Sequence, residues 1–152
     1  MIVDVLQSAI GAFGGTVGFC YVMASPKRTI LPASVTGMIG FVIYVMLFRY
    51  LGCNVMLSHF VATVVVTVIC EMLARTMRLP STIFLLTSLV PLVPGYNFYS
   101  AMLALVEDNG VRAASQGMMA VQIVAAIAVG AAVTSVCFRT LAMMRRKKNI
   151  HA

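Results

Sequence analysis

The chain has 152 residues, of which 61% are hydrophobic and 10% charged, and its formal net charge is +7. This composition excludes a soluble domain, which needs far more polar surface, and it predicts an integral membrane protein. The positive charge does not indicate nucleic-acid binding, because nine of the eleven basic residues fall on one side of the predicted helices.

Five apolar runs are each long enough for the helix of about 20 residues that crosses a bilayer. They cover residues 2–24, 30–48, 54–73, 81–106 and 115–138. We therefore predict an all-α, polytopic membrane protein with a single transmembrane domain over residues 1–140. A basic tail over residues 141–152 is expected to bind anionic headgroups of the lipid bilayer. The distribution of basic residues predicts that the N-terminus lies outside and that the C-terminus is cytoplasmic.

The first predicted helix carries four glycines on one face. They form two overlapping pairs with four-residue spacing, Gly11 with Gly15 and Gly14 with Gly18. Small residues at this spacing let two membrane helices approach closely, and such packing is how membrane helices associate. We interpret the glycines as a helix-packing surface. A surface that slides during a transport cycle is the alternative.

The third predicted helix carries polar residues at four-residue intervals, namely His59, Thr63, Thr67 and Glu71. At about 100° per residue they form one ridge that winds along the helix. Either the threonines bond to their own backbone and His59 bonds to a neighbouring helix, or the ridge lines a polar path for a solute. His59 and Glu71 are ~18 Å apart along the axis, which excludes a catalytic pair between them within this helix.

Glu71 is the only acidic residue well inside the predicted spans. Its structural interpretation is an ion pair with Arg75, one turn later. Its functional interpretation is a carboxylate that accepts protons or gates a path, because intramembrane ionisable residues tend to mark pathways. The nearby arginine slightly favours the ion pair. Glu71 is nevertheless the best candidate for proton coupling or gating, with His59 as the other.

The fourth predicted helix is interrupted at residues 91–95, which contain two prolines and a glycine. Proline lacks an amide hydrogen, so Pro91 and Pro94 should leave the carbonyls of Thr87 and Val90 without helical partners. Freed carbonyls are costly in hydrocarbon unless protein, water or a bound solute satisfies them. The charge distribution favours a broken helix that crosses the membrane over one that re-enters, and this places the break near mid-bilayer.

A second half-helix that starts near Pro94 would present the free amides of Tyr96, Asn97 and Phe98. Such a helix start carries partial positive charge and open donors, so it attracts a carboxylate, and transporters place broken helices near the membrane midplane. We predict a substrate-binding site here; a simple proline kink is the alternative. Its predicted residues are Pro91, Pro94, Gly95, Tyr96, Asn97, Tyr99 and Ser100.

No cofactor, metal site or enzyme active site is expected. The four cysteines, Cys20, Cys53, Cys70 and Cys137, lack the spacing of metal ligands. The sequence also shows no nucleophile–base or phosphate-binding motif. Transport would therefore be driven by a gradient of protons or of substrate, and an enzyme is the least favoured class.

These residues, in this order, resemble the threonine/serine exporter (ThrE) family, specifically its C-terminal membrane half, which many bacteria encode as a separate small subunit. The resemblance extends from the glycine-rich first helix to the fifth helix. Its most specific parts are residues 71–75 with 79–84, residues 90–95 followed by Tyr99, and Gly37, Gly40 and Tyr44 of the second helix.

The resemblance implies a secondary exporter in the bacterial inner membrane. Its substrate would be a small amino acid such as threonine or serine, or a short dicarboxylate, so a zwitterion or an anion. A larger membrane subunit of the same family is implied as the partner, because this chain corresponds to one membrane half. The alternative from a different class is a non-transporting membrane scaffold or a pore-forming oligomer.

Overall fold

The computed structural model describes the backbone of residues 2–150 and the side chains of residues 4–140. Every regular element in that range is helical. The elements are α1 (Ile2–Val22), α2 (Lys27–Val45) with a π-helical turn after it (Met46–Tyr50), α3 (Val55–Met77), α4 (Ser81–Ser88), a 3-10 turn (Val90–Leu92), α5 (Gly95–Val106) and α6 (Gly110–Ile150).

Four helices in the described part of the chain are long and apolar enough to cross a membrane: α1, α2 with its π turn, α3 and α6. The shorter α4 and α5 meet at a bend of 54° and form either one broken fifth span or a re-entrant loop, so that the crossing of this segment stays a prediction. The prediction of an all-α membrane protein with a broken fourth helix is confirmed. Its orientation in the bilayer and the division at residue 140 stay predictions. The side chains of the predicted basic tail, residues 141–152, lie outside the described residues.

α2 and α3 form the centre of the bundle. α2 packs against α1, α3 and α4, and α3 packs against α2, α4 and α6, whereas α5 packs mainly against α6. The buried core lies where these central helices meet and consists of Cys20, Ala33, Ala62, Val66, Cys70, Ala74, Phe84 and Leu92. α4 is therefore an interior element and α5 a peripheral one.

Two glycines of α2 allow the close contacts in this centre. A Cβ atom on Gly37 would lie 2.7 Å from Oγ1 of Thr16 and 3.1 Å from the carbonyl oxygen of Ser88. A Cβ atom on Gly40 would collide with the side chain of Val66. Because lipid is as apolar as the helix surfaces, close packing of this kind is a main source of attraction between membrane helices.

Two helices extend beyond their predicted ends for local reasons. α6 begins at Gly110 rather than at residue 115, because the side-chain oxygen of Asn109 accepts a hydrogen bond from the Arg112 amide at 3.1 Å and caps the helix. α3 runs to Met77 rather than to residue 73 and ends where Arg78 adopts left-handed backbone geometry, with φ of 53°. The apolar pattern could not place these ends, since each extension carries an arginine, Arg112 in α6 and Arg75 in α3.

Candidate functional site

The break between α4 and α5 is held by short-range backbone hydrogen bonds. The Leu92 amide donates to the Leu89 carbonyl at 3.0 Å, and the Val93 amide donates to the Val90 carbonyl at 3.1 Å. The prediction that Val90 lacks a partner is therefore wrong, because the chain tightens into a 3-10 turn that supplies a donor three residues on. The Gly95 amide then donates to the Val93 carbonyl at 2.8 Å, where the chain changes direction.

α5 begins with two uncommitted amides. The Phe98 amide donates to the Pro94 carbonyl at 3.2 Å, which is the first hydrogen bond of the helix, so the prediction that this amide is open is wrong. The amides of Tyr96 and Asn97 have no hydrogen-bond partner among the residues that the structure describes, and no side chain caps this helix start. These amides lie at the positive end of the helix dipole. The predicted anion site has two open donors rather than three.

The start of α5 opens into a cavity of about 440 Å³, which we call the break cavity. Its wall combines residues from four parts of the chain: 91–97 at the break, Phe41, Tyr44 and Phe48 on α2 and its π turn, Val55 and His59 on α3, and Met119 and Ile123 on α6. The structure thus brings His59 together with most of the predicted substrate-binding residues. Apart from His59, none of these wall residues is acidic or basic.

The break cavity begins near the middle of the bundle. Leu92 and Val66 both flank Gly40 of α2, and Val66 lies midway along the 23 residues of α3. From this level the cavity extends towards the turn between α2 and α3, because its wall includes Phe48 and Val55 on either side of that turn. A break at half depth fits this geometry, and its position in the bilayer stays a prediction.

The α2 wall of the break cavity is aromatic and was not predicted as part of the site. The ring centroids of Phe41 and Tyr44 lie 5.8 Å apart, as do those of Tyr44 and Phe48, whose planes differ by only 7°. The Tyr44 ring also lies 4.2 Å from the His59 ring. The spacing of three and four residues puts the α2 rings on one helix face, but this pattern is common in ordinary packing and therefore could not identify a site.

A second unpredicted residue, Gln116 of α6, binds the start of α5. The Asn97 side-chain Nδ2 donates to the Gln116 Oε1 at 3.1 Å. This hydrogen bond fixes the first turn of α5 against α6. The sequence signal was a polar residue near the start of an apolar span, which is weak because such ends are often polar.

Two predicted site residues lie away from the break cavity. Tyr99 is 65% exposed, Ser100 is 6% exposed, and neither belongs to the cavity wall. Both lie about one helical turn beyond Tyr96 and Asn97. The predicted segment therefore divides into a part at the cavity, which ends at Asn97, and a part on the body of α5.

The profile of a protein family described as "Threonine/Serine exporter, ThrE" matches residues 8–137, a range that contains the break and every wall residue of the cavity. The chain belongs to the threonine/serine exporter family. The resemblance predicted from the sequence is confirmed. This is a family of transporters, and the chain is a multi-pass membrane protein. Comparisons with curated proteins and with solved structures found no match.

The ridge on α3 of this exporter does not form one continuous lining. His59 Nδ1 lies 2.9 Å from the carbonyl oxygen of Val55 in its own helix, so the interpretation that it bonds to a neighbouring helix is wrong. Thr67 donates to the Thr63 carbonyl at 2.8 Å, as the structural interpretation expected. The Thr63 hydroxyl has no partner among the described residues. Both threonines are fully buried, so a solute path along them would need this packing to open.

The exporter's Glu71 does not pair with Arg75. The Arg75 Nη2 donates to the Phe138 carbonyl of α6 at 3.0 Å, and its guanidinium lies 5.1 Å from the centre of the Phe138 ring. Glu71 itself is buried and forms no ion pair with a basic side chain in the described part of the chain. The favoured ion-pair interpretation is therefore wrong, because Phe138 of α6 offers Arg75 both a carbonyl and an aromatic face.

The glycine surface of α1 has no close neighbour among the residues that the structure describes. A Cβ atom on Gly11, Gly14, Gly15 or Gly18 would meet nothing within 4 Å. The buried residues of α1 are Ala12, Thr16 and Cys20, which lie on the opposite face of the helix. The described residues supply no neighbouring helix for these glycines, and their interpretation as a helix-packing surface stays a prediction. The close approaches occur instead at Gly37 and Gly40.

The cysteines of the exporter take no part in the break cavity. All four are free thiols, and Cys20 and Cys70 are buried in the core, where the thiol packs as a small apolar group. The described residues contain no group of three or more potential metal ligands among histidine, cysteine, aspartate and glutamate.

Proposed function

We propose that this chain is the small membrane subunit of a two-component secondary exporter of threonine and serine in the bacterial inner membrane. One observation carries the proposal: the break cavity joins the two open amides of α5 to an aromatic wall and to His59. A carboxylate at the Tyr96 and Asn97 amides would satisfy donors that the fold leaves open.

The charges around the break cavity support an amino acid over a dicarboxylate. A zwitterion carries no net charge, whereas a short dicarboxylate carries two negative charges that a low-dielectric site must neutralise. The described wall residues include no lysine or arginine, and the helix start supplies only about half a positive charge. The dicarboxylate that the family resemblance allowed is therefore the less favoured substrate.

The outer surface of the chain supports a larger partner subunit. The four glycines of α1 are exposed on the face opposite the core, although glycines at this spacing are typical of helix–helix contacts. α5 also leaves most of its circumference exposed, since it packs mainly against α6. We propose that the partner covers the α1 glycines and completes the wall of the substrate path.

Glu71 is the proposed site of proton coupling. It is a buried carboxylate without a basic partner among the described side chains, and ionisable residues inside membrane helices tend to mark transport pathways. Protonation would remove its charge during part of the transport cycle. Glu71→Gln should abolish accumulation of threonine against a gradient and leave exchange of labelled for unlabelled threonine intact. Glu107→Gln is the matched control, because Glu107 is half exposed and pairs with Arg112 at 3.7 Å.

The direct experiment is efflux of labelled threonine, serine and succinate from cells that make this chain with a larger subunit of the same family. Each subunit alone serves as a control. We expect saturable efflux of threonine and serine only from cells that make both, with succinate a poor competitor. Asn97→Leu should abolish efflux and leave assembly of the two subunits unchanged.

Two results would contradict the proposal. If the chain alone formed an unselective conductance, the pore-forming alternative would be correct. If Asn97→Leu and Gly95→Ala both left threonine efflux unchanged, the substrate site would lie away from the break cavity.

A further inference from the structure

The aromatic wall of the break cavity differs from the aromatic core of the bundle. Phe84, a core ring, is fully buried, whereas Phe48 is 41% exposed and Phe41 and Tyr44 are partly exposed. The three wall rings stand in series, with neighbouring centroids 5.8 Å apart. Their accessible area adjoins the cavity that they line. The three rings therefore form one aromatic surface beside the start of α5.

His59 extends this wall with a nitrogen acceptor. Its ring lies 4.2 Å from the Tyr44 ring, and its Nδ1 lies 2.9 Å from the Val55 carbonyl oxygen. A carbonyl can only accept, so Nδ1 carries the hydrogen in this contact. In the neutral ring this leaves Nε2 with a lone pair, on a side chain that lines the break cavity.

We infer that Tyr44 with Phe41, Phe48 and His59 forms the subsite for the substrate's ammonium group. The inference rests on the proposed function, in which the Tyr96 and Asn97 amides hold the carboxylate of the same molecule. It assigns His59 to ammonium binding rather than to proton coupling. The aromatic faces attract the cation, and His59 Nε2 accepts one of its hydrogens.

This arrangement explains how a site without charged side chains can hold a zwitterion. The two charges of an α-amino acid sit on one carbon, so a site needs a weakly positive wall and a weakly negative wall that face one cavity. The start of α5 supplies the first through its amides, and the ring faces supply the second through their quadrupoles. Neither wall introduces a full charge that would be costly to bury when the site is empty.

The test compares threonine with 3-hydroxybutyrate, which is threonine without its amino group, in vesicles that contain the complete exporter. Tyr44→Leu removes the central ring face, and Tyr44→Phe keeps it. We expect Tyr44→Leu to raise the threonine concentration for half-maximal efflux by about ten- to thirty-fold, as for a desolvated cation–π contact. Inhibition by 3-hydroxybutyrate should change by less than about twofold, since this compound has no cation for the ring to bind. Tyr44→Phe should retain threonine efflux.

Controls separate the possible outcomes. Tyr21→Leu, at an exposed tyrosine of α1 that is not part of the cavity wall, should change neither the threonine concentration for half-maximal efflux nor the inhibition by 3-hydroxybutyrate. Phe48→Leu, at a half-exposed ring, gives a second test in the same direction should Tyr44→Leu fail to reach the membrane. Equal weakening of both compounds, or unchanged threonine efflux in Tyr44→Leu or Phe48→Leu, would overturn the ammonium subsite. Absence of threonine efflux from the unmodified exporter would instead overturn the proposed function.

Discussion

α4 and α5 are the two arms of one broken segment, yet the chain holds them in different ways. α4 lies between α2 and α3, with Phe84 fully buried and the Ser88 hydroxyl bonded to the Ala33 carbonyl of α2 at 2.9 Å. α5 packs mainly against α6 and begins with open amides beside the break cavity. The difference indicates that α4 anchors the fold, while α5 begins with two amide donors that the described fold does not use.

The sharpest test of this comparison replaces one phenylalanine on each arm. Phe84→Ala should destabilise the protein by about 3–5 kcal/mol, because it leaves a cavity in the core at a fully buried ring. Phe98→Ala, at a ring on α5 that is 45% exposed, should change stability far less. Thermal unfolding of the two purified variants in detergent measures the difference. Equal destabilisation would mean that α5 is as much a part of the core as α4.

A second test compares two glycines, Gly40 in the packed centre of the bundle and Gly95 at the start of α5. Gly40→Ala should cost about 1–3 kcal/mol, since its Cβ atom would collide with Val66 in the packed centre. Gly95→Ala should leave stability unchanged, because a Cβ atom at Gly95 meets nothing within 4 Å. Its efflux activity should nevertheless fall, since the added methyl group lies at the proposed carboxylate site. Normal efflux in Gly95→Ala, with normal stability, would remove Gly95 from the site.

The smallest expected effect concerns the attachment of α5 to α6. Gln116→Leu removes the acceptor for Asn97 and should lower stability by only about 0.6 kcal/mol, the typical value for a side-chain hydrogen bond between membrane helices. Threonine efflux should fall more visibly, because the start of α5 would no longer be held in place. Gln122→Leu is the matched control on the exposed side of α6. If both variants transported equally well, Gln116 would have no role in positioning the site.

Much of this architecture could be predicted from the sequence, because the features involved are local. Apolar length predicted the helices, and the absent amide hydrogens of Pro91 and Pro94 predicted the break. The 3-10 turn that satisfies Val90 was missed, since it depends on how the chain rearranges after losing its regular hydrogen bonds. Asn109 was missed as a helix cap because it follows the acidic turn at residues 107–108, where the apolar pattern had already ended.

The candidate site could not be predicted in full, because its residues come from several helices and the sequence does not show which helices meet. Tyr44 and Gln116 matter because α2 and α6 bring them to the start of α5, and no spacing within a single helix reports that meeting. Arg75 was assigned to Glu71 on sequence proximity, but the carbonyl and ring of Phe138 from α6 compete for it. The glycines of α1 showed the right motif for packing, and the motif alone could not say whether the neighbour belongs to this chain.

The central claim is that the substrate occupies the break cavity at the start of α5. The most direct test measures whether threonine protects an introduced thiol from a thiol reagent. Tyr96→Cys places the thiol at the cavity, and Met102→Cys places it further along α5, both at exposed positions. Cys53 and Cys137 are replaced by serine in both variants. Threonine should slow the reaction of a thiol reagent with Tyr96→Cys and leave Met102→Cys unaffected. Equal rates at Tyr96→Cys with and without threonine, in an exporter that still transports it, would contradict the account.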